Sequence, residues 1–308
     1  MQQLPHDSPS PWHAGEKALQ DKAGVSARME AFGRKVIRDY MPDQHREFYQ
    51  QLPFLVAGSV DLQGRPWATL LEGPEGFVSS ADPRQLHIEI ELDAQDPATP
   101  GMVSGGALGL LGIELHSRRR NRLNGLILQA SQGQLQVAVQ QAFGNCPKYI
   151  QRRDYTRVAA PAQGRFDATT LDARAISLIE SADTFFVASY VDQAGGQRAV
   201  DVSHRGGRPG FVGVQGNRLT IPDYAGNRHF NTLGNLLLNP QAGLLFIDFT
   251  TGDVLQLFGR TEVVLESPVL SAFEGAERLW TLEVEQVVLR LAATTLRWQP
   301  ASDSLLER

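Results

Sequence analysis

Three polar stretches hold the residues that could do chemistry. In VDVSHRGGRPG (200–210), alternation sends Val200 and Val202 one way and Asp201, Ser203 and Arg205 the other, with His204 between them. Gly206 and Gly207 follow directly, where a ligand could approach the backbone closely. PDYAGNRHFNTLGNLLLNP (222–240) gathers Asn227, Arg228, Asn231 and Thr232 just ahead of an apolar run. Amide, hydroxyl and guanidinium donors at a helix start suit a phosphate, with Asn231 or Thr232 as the cap. A solvated strand face with a glycine turn, followed by a capped helix with a polar turn, accounts for the same residues. The third stretch, RRRNRLNG (118–125), sets four arginines within five positions. Alternation sends Arg118, Arg120 and Arg122 one way and Arg119 and Asn121 the other. Such a run either meets an anion or guards a solvated strand edge. A nucleic-acid patch would call for interleaved aromatics, which are missing.

The remaining candidates offer less. Cys146 stands alone without a nearby histidine or base, as a small buried thiol would. Lys148, Arg152 and Arg153 beside it read as a solvated helix face. The seven histidines are scattered and no CxxC or HExxH occurs, so no metal site is expected. A single cysteine and the lack of an apolar leader point to the cytoplasm. No run approaches the roughly 20 apolar residues of a membrane helix. A net charge of −5 argues against wholesale nucleic-acid binding.

The elements that must position these residues come in two copies. FLVAGSVD (54–61) matches FFVASYVD (185–192) at five of eight positions. GFV then recurs at 76–78 and 210–212, LHI (86–88) answers LTI (219–221), and GLLGIEL (109–115) answers GLLFIDF (243–249). The offset drifts only from 131 to 134. Short Val- and Phe-rich runs bounded by Gly and Pro predict strands, as do the alternating LQVAVQQ and TEVVLE. A helix precedes each copy, one near Pro42 and one in TTLDARAISLIESA. The 308 residues suffice for two domains. The expected division is an N-terminal arm (1–40), a barrel (41–155), a linker (156–167) and a second barrel (168–308). The polar clusters lie in the second copy. The first carries Glu72 before its glycine, in what looks like the slot of Arg205, and no arginine before GLLG.

RPWATLLEG, VDVSHRGGRPGF, the run from Gly226 to Phe246 and FGNCPKYIQRR together resemble the pyridoxamine 5′-phosphate oxidase-like FMN-binding split barrels, in the branch with two tandem barrels. The likeness spans nearly the whole chain, including HAGE (13–16). It implies a mainly β fold of two tandem split β-barrels with peripheral helices, with FMN between barrels. It gives Arg205 and the run Asn227, Arg228, Asn231 and Thr232 to the phosphate, and Ser203 and His204 to the flavin ring. It also implies a small-molecule substrate, electrons from NAD(P)H or a separate reductase, and the homodimer common in that family. The basic Ser-Arg-Lys run and the substrate-phosphate arginines of the oxidases proper are missing, so vitamin B6 oxidation is not expected. Three functions follow as expectations: an FMN-dependent oxidoreductase, a non-catalytic flavin carrier docking on a reductase, and a haem-handling barrel ligated by His204 or His229.

Overall fold

The computed structural model describes residues 10–159, 164–193 and 195–301. Three helices lead: α1 (Ala14–Lys22), α2 (Ser26–Val36) and α3 (Asp43–Gln50). Then come β1 (Phe54–Val60), β2 (Pro66–Glu72), β3 (Val78–Ser79), β4 (Gln85–Glu89), β5 (Ala107–Glu114), β6 (Arg119–Ser131) and β7 (Gln134–Gly144). Two short strands, β8 (Arg153–Arg157) and β9 (Gly164–Ala168), and helix α4 (Ala173–Ser181) lead into the second half. There β10 (Thr184–Asp192), β11 (Arg198–Gly206), β12 (Gly213–Gln215) and β13 (Arg218–Tyr224) precede α5 (Asn231–Leu238). The chain continues with β14 (Gln241–Ile247), β15 (Val254–Val264), β16 (Ala276–Leu291) and β17 (Leu296–Pro300).

The first sheet runs β2-β1-β5-β6-β7-β4-β3, and the second runs β11-β10-β14-β15-β16-β13-β12. The two orders are the same order, and every strand pairing is antiparallel. The fold is therefore mainly β, with two large sheets and peripheral helices, as the repeats require. Local sequence explains the elements. All seven residues of FLVAGSV are buried, because β1 packs on both faces, whereas burial alternates along β7. Helix α4 is capped by Asp172, whose carboxylate accepts from the amide of Ala175.

Strand pairing continues through part of the segment expected as a linker. β8 pairs with β17 and β9 with β16. Residues 160–163 lie outside the described residues. The described part of the expected arm (10–40) is largely helical, and its Leu19 joins the apolar core of the second half. The expected helix face around Lys148, Arg152 and Arg153 is instead loop followed by β8.

The halves meet reciprocally. A β-carbon on Gly109 of β5 would collide with the backbone of Val200 and Asp201, and one on Gly243 of β14 with that of Pro66 and Trp67. Each half thus lends a glycine to the close approach of the other's second strand. Phe54, Val56, Leu111 and Ile113 share one core with Phe186, Val202, Leu245 and Ile247 across this junction.

These contacts also correct the pairing of Glu72 with Arg205. Gly73 lies against the ring of Phe77 as Gly207 lies against that of Phe211, so Gly73 corresponds to Gly207. Glu72 then corresponds to Gly206, and Leu71 to Arg205. The alignment slips because the second copy has two consecutive glycines and the first has one. Leu71 is buried in the first core, while Glu72 binds Arg157, Thr294 and Thr295.

Candidate functional site

A cavity of about 120 Å³ lies between the halves. From the second half it is lined by Ser203, His204 and Arg205 of β11, by Asn227, Arg228, Asn231 and Thr232, and by Arg278 of β16. From the first half come Arg120 and Arg122 of β6 and the loop residues Asn145, Cys146, Lys148 and Tyr149. All seven residues expected from the second copy therefore surround one space.

Each has a definite neighbour. Arg205 donates to Oδ1 of Asp223 at 2.7 Å. Arg228 forms a two-pronged pair with Glu277 at 2.6 and 2.7 Å. Arg278 joins these pairs, donating to Asp223 at 3.1 Å and also to Glu277. Asn227 donates to Asn145 at 3.4 Å across the junction. Thr232 donates to the hydroxyl of Ser203 at 3.0 Å. Asn231 donates to Glu16 of α1. Neither Asn231 nor Thr232 caps α5: the capping position is Phe230 (φ 60°), whose phenyl ring has no acceptor for the amides of the first turn.

Within β6 the arginines divide as alternation requires, but Arg118, expected to share the side of Arg120 and Arg122, lies before the strand. Arg119 turns outward, donating to the carbonyl of Gln44 at 2.8 Å with its guanidinium over Phe48. Arg118 takes the turn, with φ 59°. Arg120 and Arg122 turn inward to the cavity. Arg122 is buried, with Nη1 donating to Asp201 at 3.0 Å and Nη2 to Ser203. Asn124 and Asn235 complete the shell of Asp201, each at 2.8 Å. Arg120 differs: its Nε donates to the carbonyl of Cys146 at 2.7 Å, and it has no carboxylate partner among the described residues. Burial first, then the neighbouring Arg122 and Arg205, push its guanidinium down to about 10, with only Cys146 opposing.

Six cations, Arg120, Arg122, Lys148, Arg205, Arg228 and Arg278, thus line a space whose ion pairs involve three carboxylates, Asp201, Asp223 and Glu277. Several polar atoms around it have no partner among the described residues: Nε of Arg122 and Arg205, Nε2 of His204 and Nδ2 of Asn145. His204 is buried and held neutral, well below its ordinary range, by that burial and by Arg120, Arg205 and Arg153. Reasoning from sequence missed Arg278 because β16 gave only an apolar alternation. It left Arg120 and Arg122 between an anion and a strand edge, and it read Lys148 as a solvated helix face where the structure sets it on the cavity.

The corresponding place in the first half is a cleft of about 490 Å³ bearing Leu71, Glu72, Glu91, Asp93, Asp96, Arg157 and Arg290. Gln256 holds the position of Arg122 there, since the bulges at Asn124/Gly125 and Phe258/Gly259 set the two strands in the same frame. Arg290 is spent on Asp93 (2.8 Å), Asp96 (2.6 Å) and Gln256 (2.9 Å). Among the described residues no group of three or more His, Cys, Asp or Glu could hold a metal ion. No described helix is long and apolar enough to cross a membrane.

Residues 171–297 match the profile of the family described as pyridoxamine 5′-phosphate oxidase. That segment makes up most of the second half, whose strand order the first sheet repeats. Similar solved structures include the FAD-binding protein from Mycobacterium smegmatis, 15% identical, covering 40% of this chain and 98% of its own, at TM-score 0.28. The haem storage protein HutZ from Vibrio cholerae is 18% identical, covering 38% of this chain and 92% of its own, at TM-score 0.27. An FAD-binding protein from Mesorhizobium loti is 16% identical, covering 39% and 95%, at TM-score 0.28. No curated protein matches the chain.

Proposed function

We propose that this chain binds a phosphate-bearing flavin, FMN, in the cavity between its halves and serves as a flavin-dependent oxidoreductase. The observation that carries the proposal is the cation surplus at that cavity, with Arg120 facing it free of any carboxylate among the described residues. A guanidinium in such a place gives a phosphate charge-assisted hydrogen bonds of about 1.5–3 kcal/mol each. The unpartnered nitrogens of Arg122, Arg205, His204 and Asn145 supply further donors. At about 120 Å³ the space falls below the roughly 300–1,000 Å³ usual for small-molecule sites. A phosphate fits it as it stands, whereas a whole flavin requires side chains at its mouth to move. The bound flavin would supply the hydride or electron chemistry, and the protein would supply anchoring and donors. Electrons would come from NAD(P)H or a separate reductase, and a chain lacking turnover would be a flavin carrier.

One observation favours haem as a second reading: His204 lines the cavity with Nε2 unpartnered and is neutral, as an iron ligand must be. His229, by contrast, sits among Trp12, Phe32 and Phe143. Absorption spectra and titrations of the purified protein with FMN, FAD, riboflavin and haem separate these outcomes. FMN should bind at least tenfold more tightly than riboflavin. Equal affinities would remove the phosphate anchor, and a Soret band with haem alone would replace the reading.

A further inference from the structure

The N-terminal helices hold buried polar groups that a flavin anchor does not use. Helix α1 lies so close to α5 that a β-carbon on Gly15 would meet the carbonyl of Gly234, and one on Gly234 the backbone of Glu16. His13 caps α1 reciprocally with Glu16, whose Oε2 accepts from the amide of His13 at 2.9 Å. The other oxygen of Glu16 accepts from Asn231, which lines the cavity. Further along α1, Gln20 donates to the carbonyl of His229 at 3.4 Å. The rings of Trp12 and Phe32 flank that histidine at 5.0 and 5.9 Å. The contacts of Trp12, Glu16, Gln20 and Phe32 thus fall on His229 and Asn231. There Arg228 and Phe230 hold left-handed backbones (φ 64° and 60°), which non-glycine residues keep only where their surroundings impose it.

We propose that α1 braces the cavity wall from behind, with Glu16 as its positioning residue: through Asn231 it holds segment 227–232 in the shape that lines the cavity. The ligand named in the test rests on the flavin reading, whereas the positioning does not. The charge environment supports a dependence on pH. Burial and the nearby Asp201 raise the Glu16 carboxyl to about 8, against the amide of His13, Asn231 and Arg122. A raised carboxyl favours the docked helix below its unfolded value of 4.5, and that contribution fades as pH rises through about 8. His13 and His229, both lowered by burial, act in the opposite sense at the acid end.

The experiment is an FMN titration of the full chain at pH 6 and pH 8.5, with backbone hydrogen exchange across 227–235, for wild type, Glu16→Gln and Glu16→Ala. Glu16→Ala should weaken FMN at least tenfold and hasten exchange in that segment. Glu16→Gln, which keeps an acceptor for Asn231, should stay within threefold of wild type at pH 6 and lose less affinity by pH 8.5. Wild-type affinity and exchange in Glu16→Ala would overturn the proposal. If Glu16→Ala fails to fold, an undiminished pH dependence in Glu16→Gln overturns it instead. If wild type binds no FMN, the flavin reading alone fails, and the exchange comparison still decides whether Glu16 sets the wall.

Discussion

Nη1 of Arg122 lies 3.0 Å from Oδ1 of Asp201, a guanidinium of the first half paired with a carboxylate of the second, both buried. The pair joins the halves beside the candidate site, with Asn124 donating to the same oxygen of Asp201 and Asn235 to the other. Neither charge could face the interior alone. Burial by itself lowers Arg122, and Asp201 is the largest influence restoring it.

Removing one partner of such a pair should therefore cost far more than removing both. Arg122→Met should destabilise the protein by about 3–5 kcal/mol, because Asp201 is left buried and uncompensated. Arg122→Met with Asp201→Asn should recover much of that loss. Urea denaturation of the single and double variants checks this. Additive losses would mean that the two side chains are not energetically coupled.

Arg120 should matter to anions and Cys146 should not. The contact between them uses the cysteine's carbonyl oxygen, which any residue supplies. Cys146→Ala should keep FMN affinity within about threefold, less than the ~1.4 kcal/mol of a tenfold change. Arg120→Gln should lose tenfold or more for FMN and little for riboflavin. Fluorescence quenching titrations measure both. A greater loss from Cys146→Ala would identify the thiol itself as the active group.

Much of the fold was legible because the chain states it twice. FLVAGSV, GFV and GLLGIEL fall at the same places in the first sheet as their counterparts do in a second sheet of one topology. Seven cavity-lining residues of the second half were legible too, since Ser203, Arg205 and Asn231 among them are polar positions next to apolar runs, whereas Arg278 was not. What the sequence hid was relative placement. That Arg122 reaches Asp201, or that Glu16 reaches Asn231, depends on packing between segments separated by 79 and 215 positions. Local alternation shows which side a residue faces but not what waits there. Glycine was misleading for the same reason: the pair Gly206 and Gly207 shifted the alignment by one, and only the contacts of Gly73 and Gly207 with their phenylalanines restored it.

Acid should loosen the molecule through His229. Burial holds its imidazole down to about 4, with Arg122 adding to the effect, and neither ring nitrogen has a partner among the described residues. Because the folded value lies below the unfolded one of about 6.5, stability is intact above that pH and declines as pH falls toward about 4. His229→Phe, which suits the surrounding Trp12, Phe32 and Phe143, should show a shallower decline. Denaturant midpoints at pH 7, 5.5 and 4.5 decide it, and an equal decline in the variant would assign the acid sensitivity elsewhere.

The asymmetry of the halves predicts how many flavins one chain takes. In the second half Arg205 stands at the strand end beside Arg228 and Arg278, with Arg120 and Arg122 arriving from across the junction. In the first half the same position is Leu71, the crossing residue is Gln256, and Arg290 is already bound to Asp93 and Asp96. The first-half cleft is the larger, but its four carboxylates, Glu72, Glu91, Asp93 and Asp96, face two arginines and would repel a phosphate. Volume admits a ligand, and charge decides which one. Titration of the protein should end at one FMN per chain. Arg205→Glu should weaken that binding at least tenfold, about 1.4 kcal/mol, by placing a carboxylate beside Asp223 at the cavity. Leu71→Ala, which opens the first-half cleft without altering its charge, should change neither affinity nor stoichiometry. Two flavins per chain, or a single one that survives Arg205→Glu unchanged, would move the site to the other half.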